Sequence, residues 1–243
     1  MIKFFRKIRQ NLLSEGKTGK YLKYALGEIV LVVIGILIAL QINNWNQNRL
    51  NRITEIAYLK SIKKEIITNY QFNQSLVINR YPKKIKGLKL AKKFCENEIK
   101  VTDTLEFLNN VTYGGVFSNG YNFGTRSSYD ELINTGNLQL IKKDTIKNSI
   151  ANYYAYTDVV IERAIVHSSN FSNYTSELRP FDSKKPTFIS KSDQLEMMEC
   201  FKSIKFKKLV DLELSYAYKV RDYIKNVNAM GEQTINLINQ ELK

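Results

Sequence analysis

From Tyr24 to Ile42 the chain reads YALGEIVLVVIGILIALQI, nineteen residues whose one charged member is Glu28. As an α-helix this run is roughly 28 Å long, close to the ~30 Å thickness of a bilayer's hydrocarbon core. Val, Ile and Leu dominate it, and a buried core helix is an alternative to a membrane span. Trp45 follows where an interfacial anchor is expected. A cleaved signal peptide fits less well, because 23 residues precede the run and Ala39-Leu40-Gln41 stands where a small-x-small cleavage site belongs. Neither cysteine lies near the run to accept a lipid. The run is read as an uncleaved signal anchor, a transmembrane helix over residues 24–42.

Charge gives this span a direction. The chain carries a net charge of +14, and residues 1–23 hold seven cations (Lys3, Arg6, Lys7, Arg9, Lys17, Lys20, Lys23) against Glu15 alone. Only Arg49 and Arg52 follow closely after the span. A cationic block ahead of an apolar run is a membrane address that keeps the N-terminus cytoplasmic, whereas a uniformly basic surface would point to nucleic acid. Phe4, Phe5, Ile8, Leu12 and Leu13 share one helical face within this arm, as in a short helix lying on an anionic leaflet; a plain basic retention tail is the alternative. The organisation expected is a cytoplasmic arm (1–23), a signal anchor (24–42) and an extracytoplasmic domain (43–243). The partners expected are the lipid bilayer and a protein or a second copy of the chain, with no nucleic acid.

The block GEIVLVVIGILIALQINNWN behind its basic arm resembles the opening of a large bacterial family of single-pass membrane proteins of unknown function. The stretch SYDELINTGNLQLIKKDTIKNSIANYY, Ser128 to Tyr154, resembles that family's second recognisable block. The resemblance implies a bacterial inner-membrane protein with a periplasmic domain, and it brings no activity, cofactor or catalytic residue.

Periodicity describes the remainder as all-α. No Gly or Pro occurs between Ile36 and Tyr81, so the membrane helix is predicted to continue outward to about Arg80. Pro82 suits the first turn of a new helix. Across residues 144–178, Ile146, Ile150, Tyr153, Thr157, Val160, Ala164, His167, Phe171, Tyr174 and Leu178 alternate spacings of four and three. This predicts one long helix, with Asp144 as N-cap and Pro180 as stop. Leu209, Leu212, Tyr216, Val220, Tyr223, Val227, Met230, Thr234 and Leu237 continue the pattern near the C-terminus. Sustained 3/4 spacing means long helices with coiled-coil-like seams. The fold expected is an elongated helical bundle, with shorter helices near 83–99, 103–110, 127–135 and 190–203. Asn119-Gly120 allows one short β-hairpin.

Chemistry-bearing residues are sparse. The single histidine, His167, falls on an apolar helical stripe and reads as a core residue; with no second histidine, the common histidine-based metal sites are excluded. Phosphate-binding loops, nucleophile elbows and dinucleotide fingerprints are missing, so no enzyme activity, cofactor or metal is expected. Cys95 and Cys200 stand either as a bridge or as two free thiols. The run KKIKGLKLAKK, Lys83 to Lys93, reads as the solvated face of an amphipathic helix, with a lipid- or polyanion-binding patch as the alternative. Glu28 either reaches the cytoplasmic interface or joins Gly35 and Ala39 in a polar and small stripe for helix pairing. Residues 113–126, YGGVFSNGYNFGTR, gather four of the 11 glycines with Tyr113, Phe117, Tyr121, Phe123 and Arg126. This composition suits a partner-binding surface as well as an aromatic cap on the bundle. Two functions follow: a membrane-anchored interaction or scaffold protein, and a helical-bundle ligand sensor acting through a partner membrane protein.

Overall fold

The computed structural model describes residues 18–113, 124–166 and 169–243. No proline occurs before Pro82, and helix α1 runs without a break from Thr18 to Ser75. The backbone then widens into one π-helical turn, Leu76–Arg80, before α2 (Tyr81–Cys95). Pro82 explains the turn. Its ring crowds the carbonyl four residues earlier and it has no N–H to offer that carbonyl, and the Tyr81 N–H reaches five residues back to the Leu76 oxygen instead.

The chain continues through α3 (Thr104–Thr112), α4 (Ser127–Asn134), a 3-10 turn (Asn137–Leu140), α5 (Asp144–Val166), α6 (Asn170–Leu178), α7 (Lys191–Cys200) and α8 (Ile204–Glu241). Asp103, Ser169, Ser190 and Ser203 each cap a helix by accepting a hydrogen bond from the backbone N–H three residues on. No strand occurs among the described residues, so the helical class stands. The Asn119-Gly120 hairpin lies outside them.

The chain divides into two compact units, residues 1–56 and 57–243. In the first, every large apolar side chain described from Leu22 to Ile42 is exposed, at 47–65%. Among the described residues, the helix containing this run is long and apolar enough to cross a membrane. Gly35 has open space around it, and Ala39 is exposed while Glu28 is half-buried.

In the second unit α8 packs against α5, α2 and α6, α2 against α3, and α3 against α7 and α6. Gly87 makes the α2–α3 approach possible. A Cβ there would stand 2.0 Å from the Asn110 carbonyl oxygen, so any larger residue would push the helices apart. The core runs through Leu59, Ile62, Ile66, Leu88, Leu108, Ile150, Tyr153, Phe206 and Ile224.

Three details depart from the sequence pattern. The predicted single helix over 144–178 is broken into α5 and α6 by an extended Ser169 (φ −68°, ψ 103°). Its hydroxyl accepts from the Ser172 N–H and donates to Glu213, a side-chain arrangement that outcompetes helix continuation. His167, on that predicted stripe, lies outside the described residues. Asp144 sits in the first turn of α5, ion-paired with Lys147, instead of capping it. On α8 the buried seam is Phe206, Val210, Glu213, Ala217, Val220, Ile224, Val227, Thr234 and Ile238, while Leu212, on the predicted stripe, is 52% exposed. Because α8 packs against α2, α5 and α6 and also meets Ile66 of α1 at Gly231, its buried face is wide, and the predicted stripe ran along one margin of it.

Candidate functional site

The clearest concavity with convergent charge lies between α2 and α8. Pro82, Ile85, Lys86, Lys89, Leu90 and Lys93 of α2 face Tyr218 and Arg221 of α8 across an open groove of about 500 Å³. The spacing of Lys86, Lys89 and Lys93 puts them on one edge of α2, while Ile85, buried, and Leu90, half-buried, turn inward from it. The α2 lysine run therefore divides. Lys86, Lys89 and Lys93 are exposed, as a solvated face requires, but Lys84 is 2% exposed and ion-paired with an equally buried Glu213.

Charge in the groove is poorly balanced. Lys92, one residue from Lys93, has Asp211 at 2.7 Å and Glu96 at 3.9 Å, and Arg221 holds Asp222 at 2.9 Å. Lys86, Lys89 and Lys93 have no acidic partner among the described residues. The Tyr218 ring sits between the two cationic edges, 5.9 Å from Lys89 Nζ and 5.0 Å from the Arg221 guanidinium, within range of cation–π attraction.

The residues expected to form a partner surface are in part committed elsewhere. Tyr113 ends α3 with Lys83 Nζ 3.9 Å over its ring. Arg126 opens α4, bonds Asp130 at 2.7 Å, pairs with Asp158 of α5 and lies 5.6 Å from the Tyr129 ring centre. Those two carboxylates hold its guanidinium still more firmly protonated than usual. Phe117, Tyr121 and Phe123 lie outside the described residues. Immediately after them Gly124, at φ +106°, presses against Asn69. Asn69 clamps the returning chain, donating to the Thr125 carbonyl at 2.8 Å and accepting from the Thr125 N–H at 2.9 Å.

Three buried polar groups escaped the sequence reading, because spacing marks neither a buried polar side chain nor its distant partners. Glu65 accepts from the Tyr154 hydroxyl, from Ser127 Oγ at 3.2 Å and from the Ser128 N–H at 2.8 Å. Burial and this carboxylate raise the Tyr154 phenol well above its ordinary pKa. Arg179 donates to Thr112, to Asn109 Oδ1 at 2.6 Å and to the Pro186 carbonyl at 2.8 Å, while burial lowers its own pKa. Asn73 is fully buried, and neither atom of its amide meets a partner among the described residues. Cys95 and Cys200 are both free. The Cys95 thiol donates to the Phe201 carbonyl at 3.5 Å, and burial pushes its pKa up. No group of three His, Cys, Asp or Glu side chains is placed to hold a metal ion among the described residues.

A family described as a family of unknown function, DUF6090, matches residues 28–173, more than half of the chain. The match begins at Glu28 inside the apolar run and ends within α6. No curated protein and no solved structure matches the chain.

Proposed function

We propose that this chain, which belongs to the family of unknown function DUF6090, is a membrane-anchored interaction protein with residues 43–243 outside the cytoplasm and no catalytic role. The observation that carries the reading is the exposed apolar surface around the helix from Leu22 to Ile42. Monomeric soluble proteins rarely leave contiguous apolar patches larger than a few hundred Å² uncovered. The cationic arm before the run supplies the orientation. Partner contacts are assigned to the Glu28, Gly35 and Ala39 stripe within the bilayer and to the 113–126 segment outside it.

Two experiments test this. The full chain should stay with the membrane pellet after alkaline carbonate washing, and a C-terminal alkaline phosphatase fusion should be active while a C-terminal green fluorescent protein fusion stays dark. Extraction by carbonate, or the opposite fusion pattern, rules out the anchor or its orientation. A photo-crosslinking amino acid at position 35 or 117 should then give a discrete adduct. Its absence at both positions rules out the interaction role.

A second reading, a ligand sensor working through a partner membrane protein, is favoured by the α2–α8 groove. A sensor should be stabilised against heat by a small molecule, which an interaction protein without a ligand is not.

A further inference from the structure

The geometry points to the α2–α8 groove as a binding site for a small anionic amphiphile, a molecule with an apolar or aromatic body and a phosphate or carboxylate head. This assignment is independent of membrane orientation.

The volume of about 500 Å³ falls within the range of small-molecule sites, ~300–1,000 Å³. More of the exposed lining is apolar than polar, so the groove offers a body-binding floor formed by Ile85, Leu90 and the Tyr218 ring. The head-binding chemistry is cationic. Lys86, Lys89 and Lys93 converge from one helix without acidic partners among the described residues, and Arg221 approaches from the other. On the same helix Lys84 is paired with Glu213 and Lys92 with Asp211, so those two lysines are not available to a ligand in the way the groove lysines are. Like charges collected at one concavity repel one another, and a bound anion relieves that repulsion while gaining charge-assisted hydrogen bonds. A bare inorganic anion would leave the apolar floor unused, and a neutral apolar molecule would leave the lysines unpaired. Only a ligand with both parts satisfies the groove.

The test uses the full chain in phosphatidylcholine nanodiscs, titrated calorimetrically with 1-naphthyl phosphate, 1-naphthol and inorganic phosphate. 1-Naphthyl phosphate should bind about tenfold or more tightly than either of the others, as expected when a charged contact and an apolar contact are both made. Lys89→Gln with Lys93→Gln should weaken it by about tenfold or more with an unchanged circular dichroism spectrum, since both side chains are exposed. Tyr218→Ala should weaken 1-naphthyl phosphate while sparing the little inorganic phosphate binding there is. Replacing part of the phosphatidylcholine with phosphatidylglycerol separates two sources of the same chemistry. Competition assigns the groove to a lipid headgroup and undiminished binding assigns it to a free solute, and either outcome supports an anionic amphiphile. Equal affinity for the three probes, inorganic phosphate binding as tightly as 1-naphthyl phosphate, or binding unaffected by the lysine substitutions would overturn the assignment.

Discussion

Lys84 of α2 and Glu213 of α8 close an ion pair in which each side chain is 2% exposed, and the Ser169 hydroxyl completes the carboxylate from 2.7 Å. One buried carboxylate thus joins three parts of the fold: α2, α8 and the cap of α6. Removing one member of such a pair strands a charge in a low-dielectric interior, at a cost of about 3–5 kcal/mol. Lys84→Met should therefore lower the thermal midpoint of the full chain in non-ionic detergent severely. Lys84→Met with Glu213→Leu should recover much of that loss, since apolar replacement of a whole buried pair is often near neutral. If the double variant loses as much as the two single variants together, the two residues are not coupled.

Tyr154 supplies a pH signature. The fold favours its neutral phenol, first through burial and then through the hydroxyl's bond to Glu65. A group whose folded pKa is raised contributes its full stability below the unfolded pKa, about 10 for tyrosine, and loses it as pH climbs toward the folded value. Denaturation midpoints should fall above about pH 10. Tyr154→Phe should be less stable at pH 8 by about 1.5–3 kcal/mol, the worth of a hydrogen bond to a charged acceptor. The same variant should show a shallower alkaline decline than the parent. A parallel decline in the two proteins would remove Tyr154 as its source.

Much of the helical framework was legible because burial follows spacing wherever partners are apolar. Ile146, Ile150, Tyr153, Thr157 and Val160 occupy the predicted stripe and are all buried, and α1 gives way to its π turn where Pro82 dictates. What stayed hidden were choices settled by distant side chains. Ser169 breaks a helix that spacing alone would continue, because Glu213, 44 residues away, takes its proton donor. Lys84 looks like its solvent-facing neighbours until the same glutamate is placed beside it. The groove was not visible: spacing marks Lys83–Lys93 only as a lysine-rich face, and the floor needs Tyr218, which periodicity could not bring across from α8.

Arg179 pins the 179–190 connection to α3. It bonds the Pro186 carbonyl at 2.8 Å and Asn109 Oδ1 at 2.6 Å, and Asn109 in turn donates to the Thr187 carbonyl at 3.0 Å. Arg179→Met removes the centre of this web and leaves the buried Thr112 hydroxyl, the half-buried Asn109 amide oxygen and the Pro186 carbonyl without this donor. Local opening should become easier by a charged hydrogen bond's worth, roughly tenfold or more in population. Trypsin should then cleave after the exposed Lys184 faster by about that factor, while the far-ultraviolet spectrum stays helical. An unchanged cleavage rate would mean that the connection is held by something else.

Asn69 and Asn73 stand one turn apart on α1, almost wholly buried at 2% and 0% exposure, and they should respond to leucine with opposite signs. The Asn69 amide donates to the Thr125 carbonyl and accepts from the Thr125 N–H, holding the chain just after Gly124. Asn69→Leu would strand a backbone N–H and a carbonyl, each costing about 1–3 kcal/mol if it stays buried. The Asn73 amide pays the same desolvation with no bond in return among the described residues. Asn73→Leu nearly conserves volume and replaces a buried, unmet donor and acceptor with apolar surface, so it should raise stability by about 1–3 kcal/mol. Urea denaturation of the two variants in matched detergent gives the comparison directly. Destabilisation by Asn73→Leu comparable to that by Asn69→Leu would show that Asn73 has a bonding partner in the native protein, and protection of its side-chain amide from hydrogen exchange would then follow that partner.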